Sequence, residues 1–555
     1  MMQEEFFIYA EFDDFWQKFR PLTPFAREVH ARRPVWTRAD ELEALWNQTQ
    51  MALDLLDGCD EFQASRLSHH LKRLPRIPCE EKARYDEVEL FQVKKFLHNY
   101  RALADKLPQL IRNFFGLEWP CQELLECLGV GRQNPETFYI SDEYSAELAG
   151  IRADIRLLDE ALARIRARRA EQIEEEWNLG FGTREFLVVS RERLRSFEDS
   201  LEAGLARMER LLLVEPYDQT HFLVRPRASA EELRLEEERL GLQARERAAE
   251  DRVLEDLSAR VRAELPHLEA CQKAVQAFDL ALTRARLSRE QNLTRPRLTL
   301  EGAIQIQTGR FVPCEEACRR RGTTYRPLDA TFDTSATVVF GSNMGGKTVV
   351  LKTLAFLQAC TQTGLFVPAG RFVTRVFQHF HYVGEGGERA PSQGLSGFGF
   401  EVRQFNRVWR DLDQPTLVLF DEFARTTHSR EAEALISAIL EVLAANPQAV
   451  ALFSTHFRGV RRLPGVRYLR MKGLNKEGLG FSQDGGEGPS SGQDGGNELD
   501  QRIRLIDNHM EYLLVPDEGI PRNSDALAVA TLLGMDPTLA SRAERFFLEG
   551  NETTS

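Results

Sequence analysis

The stretch Gly341-Ser-Asn-Met-Gly-Gly-Lys-Thr348 constrains this chain more than any other. It fits G-x-x-x-x-G-K-[ST], and its flanks match the motif. Ahead of it runs Ala336-Thr-Val-Val-Phe340, apolar and β-branched, which reads as a strand. Behind it runs Val349-Val-Leu-Lys-Thr-Leu-Ala-Phe-Leu-Gln-Ala359, which reads as a helix. Glycines let the backbone turn so that successive N–H groups and a helix N-terminus face an anionic phosphate. Lys347 then reaches the β/γ-phosphates of a nucleoside triphosphate, and Thr348 places its hydroxyl on Mg²⁺. The expected nucleotide contacts are Gly341, Ser342, Asn343, Met344, Gly345, Gly346, Lys347, Thr348 and Val349. The alternative is a Gly-rich turn with a chance Lys-Thr, and the strand before and helix after argue against it.

A phosphate loop needs an acidic strand end, and Thr416-Leu-Val-Leu-Phe-Asp421-Glu422 supplies one. Asp421 is expected to bind Mg²⁺ and Glu422 to polarise the attacking water. Ala451-Leu-Phe-Ser-Thr-His456 reads as a further strand. His456 there either senses the γ-phosphate or is a satisfied strand-end histidine. Ser396, in Gly394-Leu-Ser-Gly-Phe-Gly-Phe-Glu401, opens an expected helix. It is either an N-cap or part of a glycine loop that approaches something closely.

At 555 residues the chain exceeds one core and suggests roughly three or four domains. Residues 1–146 read as a helical core or lever domain punctuated by Pro75, Pro78 and Pro108. Residues 147–289 read as a helical arm. Ile151, Ile155, Leu158, Leu162 and Ile165 form one apolar stripe; strand signals follow at 184–190 and 220–225; a return helix from 229 to 288 is broken at Pro266. The paired helices also fit a plain structural coiled coil. Residues 298–340 read as short strands and turns, and strand and helix then alternate to about 470, the signature of a parallel sheet covered by helices. A Gly/Ser/Asp-rich insert occupies 472–497. The expected fold is thus multidomain: a mostly α-helical core with a coiled-coil arm, then an α/β P-loop domain over 290–555.

No apolar run is long enough to span a membrane, and Met1-Met-Gln-Glu-Glu-Phe6 is not a targeting peptide, so a cytoplasmic protein is expected. The eight cysteines are scattered; Cys314 and Cys318 lack partners at zinc-site spacing, and reduced thiols are expected. A net charge of −13 argues against a broadly basic nucleic-acid binder while leaving room for a local basic stripe.

Together these pieces resemble the MutS family of ATPases. Asn343-Met-Gly-Gly-Lys-Thr348 is similar to that family's loop, with Ser342 in place of its usual Pro. Ser396, Phe398 and Glu401 are similar to its S-x-F-x-x-E segment, Asp421-Glu-Phe-Ala-Arg-Thr-Thr427 to its D-E-x-x-R-x-T stretch, and Ser454-Thr-His456 to its T-H switch. Tyr512-Leu-Leu-Val-Pro-Asp-Glu-Gly-Ile520 and Ala526-Leu-Ala-Val-Ala-Thr-Leu-Leu-Gly-Met535 resemble the segment closing its ATPase domain. The resemblance implies a clamp-like arm and an ABC-type ATPase domain, in a Mg-dependent ATP hydrolase that dimerises, with itself or a related chain, through its ATPase domains. Ser396 would then act on the partner's nucleotide, and Arg425 and Thr427 would lie at the seam. Phe311 is placed like an aromatic that packs on adenine, or else is a core strand residue.

The resemblance also carries departures. Residues 1–146 are too few for the mismatch-reading and connector domains, G-x-F-[YF]-E does not occur, and Phe6-Phe-Ile-Tyr9 is aromatic without its flanking pattern. With the sequence ending at Ser555, a dimerisation tail and a nuclease domain are not expected. Two loads follow as expectations. One is a protein partner, an aminomutase whose damaged cobalamin cofactor the ATPase helps exchange, because the truncated N-terminus resembles such reactivating subunits. The other is DNA, gripped without mismatch reading by Arg164, Arg166, Arg168, Arg169, Arg191, Arg193 and Arg195 near the arm tip. Against the second, the adjacent Glu171, Glu174, Glu175 and Glu176 suit a solvated mixed-charge face.

Overall fold

The computed structural model describes residues 2–78, 80–131, 134–182, 184–196, 207–300, 303–342, 345–384, 397–475, 502, 506, 509–519 and 525–552. Asn343, Met344, Ser396 and all of the 472–497 insert beyond Asn475 lie outside the described residues. The chain divides into two compact units, one of residues 1–68 with 276–555 and one of residues 69–275.

The first unit is built on a six-stranded sheet in the order Met510–Pro516, Val466–Leu474, Ala336–Phe340, Ala449–Thr455, Thr416–Asp421, His379–Gly384. All neighbours are parallel except the first pair, which is antiparallel. Its central strands read as continuous apolar runs because helices cover both faces. Alternation along each strand sorts the side chains. Val338, Val418, Phe420 and Phe453 join Ile436 and Leu440 of the helix Ser429–Ala444 on one face. Val339, Leu417, Leu419 and Leu452 join Leu351 and Leu354 of the helix Lys347–Gln362 on the other.

That second face also takes the start of the chain. The helices Met2–Tyr9 and Phe12–Trp16 bury Phe6, Phe12 and Phe15, with Phe6 packed 4.9 Å from Phe380 and Phe15 5.0 Å from Phe356 between ring centroids. Buried Asp279 secures the following turn, accepting hydrogen bonds from the Thr23 N–H (2.7 Å), the Thr23 hydroxyl (2.8 Å) and the Leu22 N–H (3.0 Å). A smaller sheet orders Arg297–Leu298, Arg371–Thr374, Ile304–Gly309 and Leu328–Phe332. Within 298–340, expected as strands and turns alone, lies the helix Val312–Arg321. Its signals were present: Pro313 in its first turn, and Gly322 just past its end in the left-handed region at φ 70°.

The second unit holds the helices Glu87–Ala104 and Ala146–Trp177, the leading part of Ala230–Gln291, and a three-stranded antiparallel sheet. The long helix runs unbroken through Pro266, where a break was expected. Proline removes one backbone hydrogen bond, but Leu265 and Leu268 beside it are buried and hold the helix together. The two expected strands form as Leu187–Ser190 and His221–Pro226, joined by a third, Leu212–Pro216. Asp218 closes the hairpin between the last two, accepting from the N–H groups of Thr220 (2.6 Å) and His221 (2.7 Å).

Ala146–Trp177 and Ala230–Gln291 run antiparallel, tied by a ladder of ion pairs. Arg252 meets Glu147, Arg152 meets Glu246 and Glu250, Arg239 meets Asp159, and Arg166 meets Glu232 and Glu236. Arg169 also binds Glu232, which is buried. Two of the arginines considered for phosphate contact, Arg166 and Arg169, are therefore committed to the partner helix. Arg193 donates to the Asn178 carbonyl (2.9 Å).

Candidate nucleotide site

Three adjacent parallel strands deliver the site. Their register sets Phe340 beside Thr455 and Asp421 beside Ser454, so the Gly341 loop, the Asp421-Glu422 pair and His456 all leave the same carboxyl edge. Ligands of open parallel sheets bind at that edge.

The loop enters its helix through Gly346, at φ 88°, a left-handed conformation that L side chains rarely adopt. A Cβ there would lie 3.2 Å from the Tyr512 ring, and one on Gly341 would lie 3.2 Å from Met471. The backbone is thus packed on one side and bare on its own, which suits close approach of a phosphate. Lys347 opens the helix Lys347–Gln362. Its buried ammonium donates to the carbonyls of Gly341 and Ser342 at 2.9 Å each and lies 3.4 Å from Glu422 Oε1. Burial pulls the Lys347 pKa down, and the Glu422 charge works against that shift.

Asp421 is held by three hydroxyls. Its Oδ1 accepts from Thr348 (3.1 Å) and Ser454 (2.5 Å), and its Oδ2 from Tyr9 (3.2 Å). A carboxylate beside a threonine hydroxyl is a hard-oxygen set that fits Mg²⁺. Tyr9 was not expected here. It is buried, and burial together with the Asp421 charge pushes its pKa well above the usual tyrosine value, so its hydroxyl stays a donor. Nothing in the local sequence signals this contact, because it crosses from the first helix to a distant strand end.

Glu422 and Ala424 sit at φ 52° and 60°, a left-handed strain of about 1–2 kcal/mol per residue. Hydrogen bonds fix the turn. The Glu422 N–H donates to the Ser454 carbonyl and hydroxyl at 3.1 Å each, and the Ala424 N–H donates to buried Glu401 Oε2 at 2.7 Å. The Glu422 carboxylate lies between Lys347 and Arg425, whose guanidinium is 3.3 Å away. Glu401 reaches this turn from the helix Gly397–Asp411. Replacing Glu401 with Ala leaves the Ala424 N–H unsatisfied in a buried place and is expected to destabilise the first unit by about 2–3 kcal/mol in urea unfolding. A loss below about 0.5 kcal/mol would show that the turn stands without it.

His456 is exposed just beyond the strand Ala449–Thr455, 4.3 Å from the Phe457 ring. Partial burial lowers its pKa, Glu422 raises it, and Lys347 and Arg425 lower it, so its imidazole feels the charges of the site. Phe311 packs on the helix that Lys347 opens. It is buried at the start of the helix Val312–Arg321, its ring edge-on to Phe356 at 5.8 Å. Val349 is partly buried against the core. Phe398 lies 6.4 Å from Phe423. The described cysteines are free thiols, and no group of three metal-ligating side chains occurs among the described residues. No described helix is long and apolar enough to cross a membrane.

Residues 337–473 match the family model of MutS domain V. That span runs from the strand before the Gly341 loop past His456. The chain is homologous to MutS2 and MutS proteins. It is 29% identical over 365 residues to the endonuclease MutS2 of Solidesulfovibrio magneticus, covering 64% of this chain and 43% of that one. It is 30% identical over 307 residues to the endonuclease MutS2 of Symbiobacterium thermophilum, covering 54% and 34%. Over 257 residues it is 30% identical to the DNA mismatch repair protein MutS of Lactobacillus delbrueckii subsp. bulgaricus, covering 45% and 29%. The chain thus spans less than half the length of these MutS relatives.

Proposed function

We propose that the chain is an ATP hydrolase in which a MutS-type domain, paired with a second such domain, drives a helical arm that grips DNA. The observation that carries this reading is the meeting of Lys347, Thr348, Asp421 and Glu422 at one edge of three neighbouring strands. The loop from Gly341 to Thr348 cradles the phosphates as a P-loop, with Lys347 on the β/γ-phosphates. Thr348 and Asp421 would hold Mg²⁺, which when bound neutralises phosphate charge. Glu422 polarises a water for attack on the γ-phosphorus; the bond to the β–γ bridging oxygen breaks, and ADP and phosphate leave. His456 faces the γ-phosphate, and Ser396 serves the partner domain's nucleotide. The second domain belongs to another copy of this chain or to a related one, and the assembly acts in the cytoplasm.

DNA is favoured as the load because the relatives carry the names of an endonuclease and a mismatch repair protein. They lend no support to an aminomutase partner. Arg164, Arg168 and Arg191 are exposed and outside the interhelical ladder, and these three are the arm's phosphate contacts. The test is ATP turnover with and without duplex or branched DNA, alongside DNA binding across a salt series. Mg²⁺-dependent turnover and binding that falls steeply with salt are expected. Replacing all three arginines with alanine should flatten the log–log salt slope by up to about 3. Absence of turnover under both conditions would refute the hydrolase; turnover without DNA binding at low salt would refute the load.

A further inference from the structure

The Tyr9 contact gives the first helix a role in the site. Met2–Tyr9 packs against the strand His379–Gly384, next to the strand that ends in Asp421. Phe6 and Phe7 anchor it, exposed by only 0% and 2%. The Tyr9 ring stacks on Tyr382 at 4.0 Å and 19°, and the Lys352 ammonium lies 5.4 Å from its centroid. The ring is thus set by packing on neighbouring elements, and its hydroxyl meets Asp421 Oδ2 at 3.2 Å.

A carboxylate turns about its last torsion over a broad, roughly two-fold range unless both oxygens are engaged. Thr348 and Ser454 both hold Oδ1, and Tyr9 holds Oδ2. We infer that Tyr9 is a positioning residue for the metal-binding carboxylate, clamping Oδ2 so that Oδ1 stays aimed at the Thr348 hydroxyl. The first helix is then part of the ATP–Mg²⁺ site as well as of the core. The inference rests on the proposed assignment of Asp421 to the metal. Partners of ligating groups typically change metal affinity 10–100-fold when removed.

The experiment uses the full chain and a fluorescent, non-hydrolysable ATP analogue, titrated in EDTA and then against Mg²⁺. Tyr9→Phe keeps the ring and its stacking and loses only the hydroxyl. The Mg²⁺ concentration for half-maximal binding should rise about 10-fold, with binding in EDTA and the unfolding temperature unchanged. Asp421→Asn serves as reference. If it raises the Mg²⁺ requirement while Tyr9→Phe does not, the Tyr9 inference is overturned and the ATP site stands. If Asp421→Asn leaves the requirement unaltered, the metal assignment fails and both readings fall.

Discussion

Glu422→Gln should bind ATP as well as the parent chain and turn it over at least about 100-fold more slowly, the loss that follows removal of a positioned general base. Gln has the same shape and leaves the Glu422 backbone bonds to Ser454 intact. What disappears is the basic oxygen and the negative charge 3.4 Å from Lys347. Losing that charge frees the ammonium for phosphate, so affinity should hold or improve. Single-turnover hydrolysis beside equilibrium ATP binding separates the two effects. Unchanged turnover would remove Glu422 from the chemistry.

Lys347→Ala should act on binding itself. A lysine ammonium has three donors, and here the carbonyls of Gly341 and Ser342 and the carboxylate of Glu422 face it. Phosphate must displace at least one of these, and the exchange is favourable because a polyanion offers more charge than a carbonyl dipole. Truncating a buried charged partner costs about 2–5 kcal/mol, so ATP affinity should fall about 30-fold or more. Calorimetric titration checks it, with urea unfolding run alongside because Glu422 loses a partner. Undiminished affinity would sink the phosphate-loop assignment.

The parts of this site legible in sequence are those whose physics is local. The run Ala336–Phe340, the glycines after it and the helix behind it each carry their own period or turn chemistry. The same holds for Thr416–Asp421 and Ala449–Thr455, whose apolar runs end in polar residues. The parts that were not legible are made by distant partners. Tyr9 finds Asp421, Glu401 finds the Ala424 N–H, and Tyr512 closes over Gly346 only once the sheet has assembled. The pairing of two of the arm arginines was hidden for the same reason, since Arg166 and Arg169 find Glu232 more than sixty positions along the chain. The strand Leu212–Pro216 pairs along the edge that His221–Pro226 offers it.

The ladder between the two long helices has a consequence for any experiment on the arm. Exposed ion pairs add little stability, about 0–1 kcal/mol each, but several in sequence fix how one helix is set against the other. Sliding by a turn would misalign Arg252, Arg152, Arg239 and Arg166 from their acids together. Salt would therefore act twice: it would weaken the proposed phosphate contacts, and it slackens the ion pairs between the two helices. A spin-label distance across the helices, followed through the same salt series without DNA, would separate the grip from the stiffness of the limb behind it.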